Sequence, residues 1–380
     1  MGFDKLKLAP ELLTAIQNQG YKNPYPIQSE VIPDVLNGKD VLGIAKTGSG
    51  KTASYVLPIL TQLKNAKTKN RFVNVLVLVP TRELAVQVQE VFHSFSKDLD
   101  YPSKSIAVFG GVAINPQMKR LINVNILVAT PGRLLELTRS NAVHLSKVST
   151  FVMDEADKLL NLGFQKEIDE LLKLLPKKRQ NLLFSATLSP EVKNIERILL
   201  NNDNLVTKEP VSEAEVPTED LLINQTGYFV SKEKKGPLLR YLIKEKKMKQ
   251  VLVFTSSIYQ ADQVTTKLRK NGIDARAIHS KKSQGSRQES LSLFKNGKIN
   301  VLVATDLLAR GIDIQFLPFV INYELPRSPK DFIHRIGRTG RAENPGEAIT
   351  LVSEEDKHHF RVIQKKMEQW ITMVDADNIL

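Results

Sequence analysis

Short apolar runs alternate with longer amphipathic segments along most of the chain, and turn-forming residues separate the two kinds of segment. Runs of four or five apolar residues favour buried strands, and amphipathic segments favour helices that cover a sheet. This alternation is typical of α/β proteins, in which the strands are mainly parallel and helices lie on both faces of each sheet. The clearest predicted strands are Val75–Val79, Ile126–Ala129, Phe151–Met153, Leu182–Phe184, Val251–Phe254, Val301–Ala304 and Val320–Asn322.

The same rhythm occurs in both halves of the chain, and a segment of different composition separates them. Glu209–Asp220 contains two prolines, five acidic residues and no apolar periodicity, which predicts a linker. The 380 residues also exceed what one hydrophobic core usually serves. We therefore predict two domains, residues 1–208 and 221–380, joined by a linker at 209–220.

Charge and composition indicate which kinds of binding partner the protein can have and which kinds of chemical site it cannot have. The formal charge of +13 indicates a polyanionic partner, although a basic surface that only aids solubility is the alternative. The chain has no cysteine, which excludes disulfides, thiolate metal sites and cysteine nucleophiles. No apolar run is long enough to span a bilayer, so we expect a cytoplasmic protein without membrane contact.

A glycine-rich octapeptide, Ala45–Thr52, follows a predicted strand at Asp40–Ile44. Its glycines permit a nest of backbone N–H donors at a helix N-terminus, where phosphate groups bind. Lys51 can then reach the β and γ phosphates of a nucleotide, and Thr52 can offer its hydroxyl to Mg²⁺. An ordinary glycine-rich turn is the alternative interpretation.

Three carboxylates, Asp154, Glu155 and Asp157, directly follow the predicted strand Phe151–Met153. Ligands of open α/β sheets bind at this end of the strands. Neighbouring carboxylates repel one another, so the pattern favours a bound cation over a solvated acidic turn. Asp154 is suited to hold Mg²⁺, and Glu155 to orient and deprotonate a water that attacks the γ phosphate.

In the second half, arginines recur every third residue among glycines in His334–Arg341. Forked guanidinium groups match phosphate oxygens, so Arg338 and Arg341 are candidate arginine fingers. A plain basic patch is the alternative.

Taken together, the motifs resemble the core of a DEAD-box RNA helicase, and the resemblance spans nearly the whole chain. Overall likeness is greatest to the bacterial RhlE-like group of that family. The motifs, in the family's order, are Gly20-Tyr21, Pro26–Gln28, the octapeptide, Pro80–Ala85, Gly110-Gly111, Thr130–Arg133, Asp154–Asp157, Ser185–Thr187, Val253–Thr255, Gln284 with Arg287, Ala304–Asp313 and the arginine run.

The resemblance implies two tandem RecA-like domains that bind ATP and Mg²⁺ and hydrolyse the ATP. It implies that Gln28 reads the adenine edge, that Phe3 and Tyr21 pack near the base, and that Asp313 meets the ribose. Catalysis is assigned to Lys51, Asp154, Glu155, Arg338 and Arg341, and metal binding to Thr52 and Asp154. The full set of predicted nucleotide contacts is Phe3, Tyr21, Gln28, Ala45, Lys46, Thr47, Gly48, Ser49, Gly50, Lys51, Thr52 and Asp313.

The resemblance also implies contacts with the backbone of single-stranded RNA, with little sequence specificity. The predicted RNA contacts are Thr81, Arg82, Gly111, Thr130 and Arg133 in the first half, and Thr255, Gln284, Arg287, Thr305 and Gly311 in the second. Coupling between the two ligands is assigned to Asp157, Ser185, Thr187 and His334. From the residues alone, the hydroxyl pair Ser185 and Thr187 is equally consistent with a helix N-cap.

Two positions depart from the family pattern. Lys46 stands where many relatives carry glutamine, and His279-Ser280-Lys281 precedes Gln284 where His-Gly-Asp is common. These departures bear on the affinity for ATP or RNA more than on the chemistry. The lone tryptophan, Trp370, is expected to be a packing residue rather than a platform for base stacking.

The predicted function is RNA-stimulated ATP hydrolysis coupled to local unwinding of short RNA duplexes or to remodelling of RNA–protein complexes, by a core expected to be monomeric. A slow ATP-gated RNA clamp and a DNA helicase are the rival interpretations. Lys51, Asp154, Glu155, Arg338 and Arg341 are all present, which favours the enzyme over the clamp.

Overall fold

A computed structural model describes residues 2–45, 49–65, 72–97, 99–101, 103–199, 205–208, 223–306, 314, 317–340 and 346–376. The chain divides into two compact units, Met1–Ala214 (unit 1) and Glu215–Leu380 (unit 2). The linker predicted at 209–220 lies outside the described residues, so the predicted domain boundaries stay a prediction.

Unit 1 is built on a seven-stranded parallel sheet with the strand order β3-β4-β2-β5-β6-β1-β7. The central strands are continuous apolar runs because helices bury both of their faces. One core cluster, which includes Leu60 and Phe92, lies on one face, and a second, which includes Leu134 and Leu171, lies on the other. The strands are β1 (Asp40–Ile44), β2 (Val75–Leu78), β3 (Ser105–Val108), β4 (Ile126–Ala129), β5 (Thr150–Met153), β6 (Gln180–Ser185) and β7 (Leu205–Lys208).

The helices of unit 1 occupy the connections between parallel strands, as such connections require. After a 3₁₀ turn at Phe3–Leu6, they are α1 (Pro10–Asn18), α2 (Pro26–Leu36), α3 (Lys51–Asn65), α4 (Arg82–Ser96), α5 (Ile114–Arg120), α6 (Pro131–Arg139), α7 (Ala156–Asn161), α8 (Gln165–Leu174) and α9 (Pro190–Leu199).

Unit 2 repeats the architecture, with a seven-stranded parallel sheet in the order β10-β11-β9-β12-β13-β8-β14. Its strands are β8 (Ile223–Phe229), β9 (Val251–Thr255), β10 (Ala275–Ile278), β11 (Val301–Thr305), β12 (Phe319–Asn322), β13 (Gly346–Val352) and β14 (Thr372–Asp375). Its helices are α10 (Lys235–Glu245), α11 (Ile258–Lys270), α12 (Gln284–Lys295), α13 (Pro329–Ile336) and α14 (Lys357–Met367), with a 3₁₀ turn at Glu354–Asp356.

The predicted fold class, α/β with two parallel sheets and helices on both faces, is confirmed. All seven predicted strands are present, with ends that differ by at most two residues. Prediction failed for strands of mixed polarity such as β8, which reads Ile-Asn-Gln-Thr-Gly-Tyr-Phe and pairs with β14 at the sheet edge. The expectation that Trp370 is a packing residue is wrong, because the residue is 72% exposed.

No helix in the described ranges is long and apolar enough to cross a membrane.

Candidate nucleotide and RNA sites

The glycine-rich octapeptide connects β1 to α3 at the carboxyl edge of the unit 1 sheet. Gly50 has a φ of +87°, a backbone conformation that favours glycine. The ammonium group of Lys51, at the first position of α3, donates a hydrogen bond to the carbonyl of Ala45 and is buried. Lys51 thus contacts the residue that directly follows β1. Of the predicted nucleotide contacts in this loop, Lys46, Thr47 and Gly48 lie outside the described residues.

The three carboxylates lie at the end of β5, two strands from β1 in the sheet. Asp154 is 3% exposed and Asp157 is 2% exposed. Oδ1 of Asp154 accepts the backbone N–H of Glu155 at 2.8 Å, and Oε1 of Glu155 accepts a hydrogen bond from Lys158 Nζ at 2.6 Å. Glu155 has a φ of +51°, and left-handed backbone of this kind at a non-glycine residue often marks a functional site.

Burial sets the electrostatics of this cluster. It raises the pKa of Asp154 and of Glu155, because a charged carboxylate loses hydration there. It lowers the pKa of Lys51 for the same reason, and Asp154 and Glu155 counteract that shift by attraction. Attraction between the Lys51 ammonium and the two carboxylates thus favours the charged form of each, whereas Asp154 and Glu155 repel each other. This is the arrangement a site needs if it is to receive a metal-bound polyphosphate.

The acidic character of the cluster suits a Mg²⁺ ion whose remaining ligands are water and nucleotide phosphates. Oε2 of Glu155 and Oδ1 of Asp157 are buried and accept no hydrogen bond within the described structure. The described residues hold no group of three metal-ligating side chains. Mg²⁺ needs no such group, because it is commonly bound by one or two carboxylates together with water and substrate phosphates. Asp154 and the Thr52 hydroxyl are the side chains that would supply the protein part of such a shell.

Gln28 lies fully buried on α2, beside the octapeptide. Its Nε2 donates to the carbonyl of Gly50 at 3.1 Å, and its Oε1 accepts the N–H of Tyr25 at 2.9 Å. Both ends of the amide are engaged, so reading adenine requires exchange of at least one of these bonds.

The two aromatic residues predicted near the base pack against each other. The rings of Phe3 and Tyr21 meet edge to face at 6.3 Å, and Phe3 is buried in the core. Tyr25, three residues before Gln28, was not among the predicted contacts. Its ring lies beside the phosphate loop, because a Cβ on Gly50 would lie 3.0 Å from it.

The hydroxyl pair after β6 faces the carboxylates. Thr187 Oγ1 donates to Oδ2 of Asp157 at 3.2 Å, and Ser185 Oγ donates to the Thr187 carbonyl at 2.8 Å. The alternative, that these hydroxyls cap a helix, is wrong, because Ser189 accepts the N–H of Val192 at the start of α9. The structure thus joins Asp157, Ser185 and Thr187 in one network.

The predicted RNA contacts of unit 1 follow β2, β3 and β4, at the same carboxyl edge as the nucleotide cluster. Thr81 caps α4 by accepting the N–H of Leu84 at 3.2 Å, and Thr130 Oγ1 accepts the N–H of Gly110 at 3.4 Å. Gly111 has a φ of +72°, and a Cβ there would lie 1.8 Å from the guanidinium of Arg82. The left-handed backbone at this position favours glycine.

Arg133, on α6, is 5% exposed. It donates to Glu136 and to the carbonyl of Val112, both at 2.7 Å, while its Nη1 is buried and makes no hydrogen bond within the described structure. An unsatisfied buried donor indicates a site for an acceptor such as phosphate.

In unit 2 the predicted RNA contacts follow β9, β10 and β11. Gln284 and Arg287 lie on the first turn of α12, joined by a 2.5 Å hydrogen bond from Arg287 Nη2 to Gln284 Oε1. The Nε2 of Gln284 is buried and has no partner in the described part of the chain. Thr255 ends β9 and Thr305 ends β11, whereas Gly311 lies outside the described residues.

The arginine run begins on α13 with His334. Arg338 follows that helix and is 6% exposed, while Arg341 and Asp313 lie outside the described residues. Arg335 was missed by sequence reasoning. It is 2% exposed and donates to both oxygens of Asp306, at 2.5 and 2.8 Å, which fixes the base of the run.

Of the two departures from the family pattern, only the second is described. His279 is 2% exposed, with Nε2 3.1 Å from Asp262 Oδ1, and Lys282 lies 2.9 Å from the same oxygen. Lys281 is exposed, and Lys46 lies outside the described residues.

Comparisons with known proteins agree with this geometry. The DEAD/DEAH box helicase model matches residues 25–195, and the helicase conserved C-terminal domain model matches residues 233–343. An ATP-dependent rRNA helicase, RRP3 of Debaryomyces hansenii, is 40% identical over 95% of this chain and 74% of its own length. The chain is a DEAD-box ATP-dependent RNA helicase.

Other relatives extend this family assignment. A probable ATP-dependent RNA helicase of Methanocaldococcus jannaschii is 37% identical over 97% of this chain and 96% of its own length. The solved structure of Saccharomyces cerevisiae Dbp5 bound to RNA and ADP BeF3 is 31% identical, with a TM-score of 0.84 over 99% of this chain and 96% of that one. DEAD-box helicases hydrolyse ATP, so the prediction of an ATP-dependent enzyme is confirmed.

Proposed function

We propose that this DEAD-box protein couples RNA-stimulated ATP hydrolysis to local separation of short RNA duplexes or to remodelling of RNA–protein complexes. The observation that carries the proposal is that the candidate ATP and RNA residues lie along the same carboxyl edge of the unit 1 sheet, after different strands. The phosphate loop and the acidic cluster follow β1 and β5, and the candidate RNA contacts follow β2, β3 and β4. A shared edge allows one ligand to influence residues that hold the other.

For the chemistry, we assign the following tasks to residues of the two units. Thr52 and Asp154 would hold Mg²⁺, which would supply neutralisation of the phosphate charge. Lys51 exchanges its bond with the Ala45 carbonyl for phosphate oxygens. Glu155 accepts a proton from the attacking water, for which its unpartnered Oε2 is available. Arg338 and Arg341 neutralise charge that develops in the transition state.

For nucleotide recognition, Gln28 selects adenine and Asp313 contacts the ribose, with Phe3 and Tyr21 supporting the base. The burial of Gln28 against Gly50 supports a link between base recognition and the phosphate loop. ATP is therefore expected to bind more tightly than other nucleoside triphosphates.

For RNA, the candidate contacts are backbone N–H groups, hydroxyls, amides and guanidiniums. Such donors suit phosphate and 2′-hydroxyl groups rather than base edges, so the proposal is sequence-nonspecific binding of single-stranded RNA. The unsatisfied donors of Arg133 and Gln284 support it, since each is buried and lacks an acceptor among the described residues.

The motifs assign residues of both halves of the chain to each ligand. If ATP and RNA both favour the same state of the protein, each must strengthen the binding of the other by the same factor. The network of Asp157, Ser185 and Thr187 is proposed to carry this coupling in unit 1, with His334 as its counterpart in unit 2.

The finer assignments also stay proposals. They are a monomeric core, a cytoplasmic location and membership of the RhlE-like group. Relatives named as rRNA helicases make ribosomal RNA one candidate substrate.

Steady-state ATP hydrolysis without nucleic acid, with single-stranded RNA and with matched DNA tests the proposal. We expect stimulation by RNA alone, and its loss in Glu155→Gln. Tight ATP-dependent RNA binding with turnover at background would establish the clamp instead. Equal stimulation by DNA would establish a motor that does not read the 2′-hydroxyl.

A further inference from the structure

The buried cluster of unit 1 contains a tyrosine to which the family motifs assign no role. Tyr55 lies on α3, three and four residues beyond Thr52 and Lys51, a spacing that places all three side chains on one face of the helix. The Tyr55 side chain is fully buried, at 0% exposure. Its hydroxyl donates a 2.9 Å hydrogen bond to Oδ2 of Asp154.

The aromatic ring of Tyr55 is fixed by packing. Its centroid lies 5.2 Å from that of Phe184 on β6 and 6.4 Å from that of Phe92 on α4. A phenylalanine at position 55 would keep both contacts. Only the hydroxyl therefore needs a separate explanation, since burying a hydroxyl is unfavourable unless it is hydrogen-bonded.

With the Tyr55 hydroxyl, both carboxylate oxygens of Asp154 accept a hydrogen bond from the protein. The backbone N–H of Glu155 binds Oδ1, and the Tyr55 hydroxyl binds Oδ2, so rotation of the carboxylate breaks at least one bond. Each carboxylate oxygen keeps the capacity to accept a second ligand. Thr52 lies three residues before Tyr55 on α3, so their side chains lie on the same face of the helix. Tyr55 therefore adjoins both side chains that are candidates to hold Mg²⁺.

We propose that Tyr55 is a positioning residue that holds the Asp154 carboxylate in the orientation required by the Mg²⁺ of a bound nucleotide. The inference rests on the proposed function, in which Asp154 binds that ion. Outer partners of this kind commonly change metal affinity by a factor of about 10 to 100.

The test is a Mg²⁺ titration of the Tyr55→Phe variant of the full chain. Equilibrium binding of a fluorescent ADP analogue is the readout, and it requires no turnover. We expect the half-saturating Mg²⁺ concentration to rise about tenfold. Affinity for the analogue at saturating Mg²⁺ and the Tm should match the natural chain, since the ring contacts remain. Tyr101→Phe is the matched control. It removes a buried tyrosine hydroxyl of the same unit, between α4 and β3, and should leave the Mg²⁺ requirement unchanged.

Asp154→Asn separates failure of this inference from failure of the proposed metal site. If Asp154→Asn raises the Mg²⁺ requirement and Tyr55→Phe does not, the role of Tyr55 is overturned and the metal site stands. If neither variant changes it, the proposed metal site fails as well. A lower Tm together with weaker analogue binding at saturating Mg²⁺ would assign Tyr55 to the core alone and overturn the inference.

Discussion

The two units bury charged residues in different ways. In unit 1, Asp154, Glu155 and Asp157 crowd one end of β5, and two of their buried oxygens accept no hydrogen bond among the described residues. In unit 2, the Arg335 guanidinium donates to Asp306 twice, to Asn322 at 3.2 Å and to the Glu324 carbonyl at 2.6 Å. It also lies 4.9 Å from the centroid of the Phe254 ring.

The difference distinguishes two uses of buried charge. A buried ion with all its bonds made within the protein fixes local structure, and removing its partner is strongly destabilising. A buried charged group with unsatisfied polar atoms indicates a site for a ligand. We therefore expect changes in unit 1 to affect ligands, and changes around Arg335 to affect the fold of unit 2.

Substitution of Arg338 should give the largest effect on activity, because this residue is assigned to the reaction. It lies three residues after Arg335, which has a structural role. Its backbone is held at both ends, by Leu317 N–H at 3.1 Å and by the Arg335 carbonyl at 3.2 Å. Arg338→Lys keeps the charge but loses the forked geometry, and should lower RNA-stimulated kcat by about 10³. Arg269→Lys, on the exposed side of α11, is the control. A loss below tenfold in Arg338→Lys would remove this residue from the catalytic set.

Arg335→Met should leave Asp306 without its partner and destabilise unit 2 by about 3 kcal/mol. Hydrogen exchange resolves the two units, so protected amides of β9, β11 and β12 should exchange about 100-fold faster while those of unit 1 stay unchanged. Arg269→Met should change neither unit. Unchanged exchange in unit 2 would mean that the Arg335–Asp306 ion pair does not stabilise this unit. The proposed difference between the buried charges of the two units would then be wrong.

Thr187→Val removes the hydrogen bond to Asp157 without removing a group assigned to the chemistry. A hydrogen bond to a charged group contributes about 1.5 kcal/mol, so duplex separation per ATP hydrolysed should fall roughly tenfold while RNA-stimulated hydrolysis persists. Thr138→Val, which loses only a bond to the Leu135 carbonyl on α6, is the control. Equal losses of hydrolysis and separation would place Thr187 in the chemistry and not in coupling.

The smallest expected effect concerns salt. Binding of single-stranded RNA should weaken with a log–log slope of about −0.7 per phosphate neutralised, and Arg82→Gln should make the slope shallower by about 0.7. Arg139→Gln, whose guanidinium pairs with Glu170 at 2.8 Å, should leave the slope unchanged. A slope that Arg82→Gln does not alter would remove Arg82 from the phosphate contacts.

Sequence reasoning predicted features that depend on local pattern. Buried strands such as Ile126–Ala129 are continuous apolar runs, and the phosphate loop and the acidic cluster each lie within a few residues of a strand end. It could not predict contacts between distant residues. The bond from Tyr55 to Asp154 joins positions 99 apart, and that from Arg335 to Asp306 joins positions 29 apart. Neither pair shows a periodicity, because the packing of whole elements brings the residues together.

The central claim, that ATP drives local strand separation, is tested most directly by unwinding a short and a long RNA duplex with the natural chain and with Glu155→Gln. We predict that the natural chain separates the short duplex efficiently in the presence of ATP, and that the long duplex resists. Glu155→Gln should hydrolyse no ATP and complete no further rounds of separation. Equal unwinding of both duplexes, or separation of the short one without any nucleotide, would contradict the account.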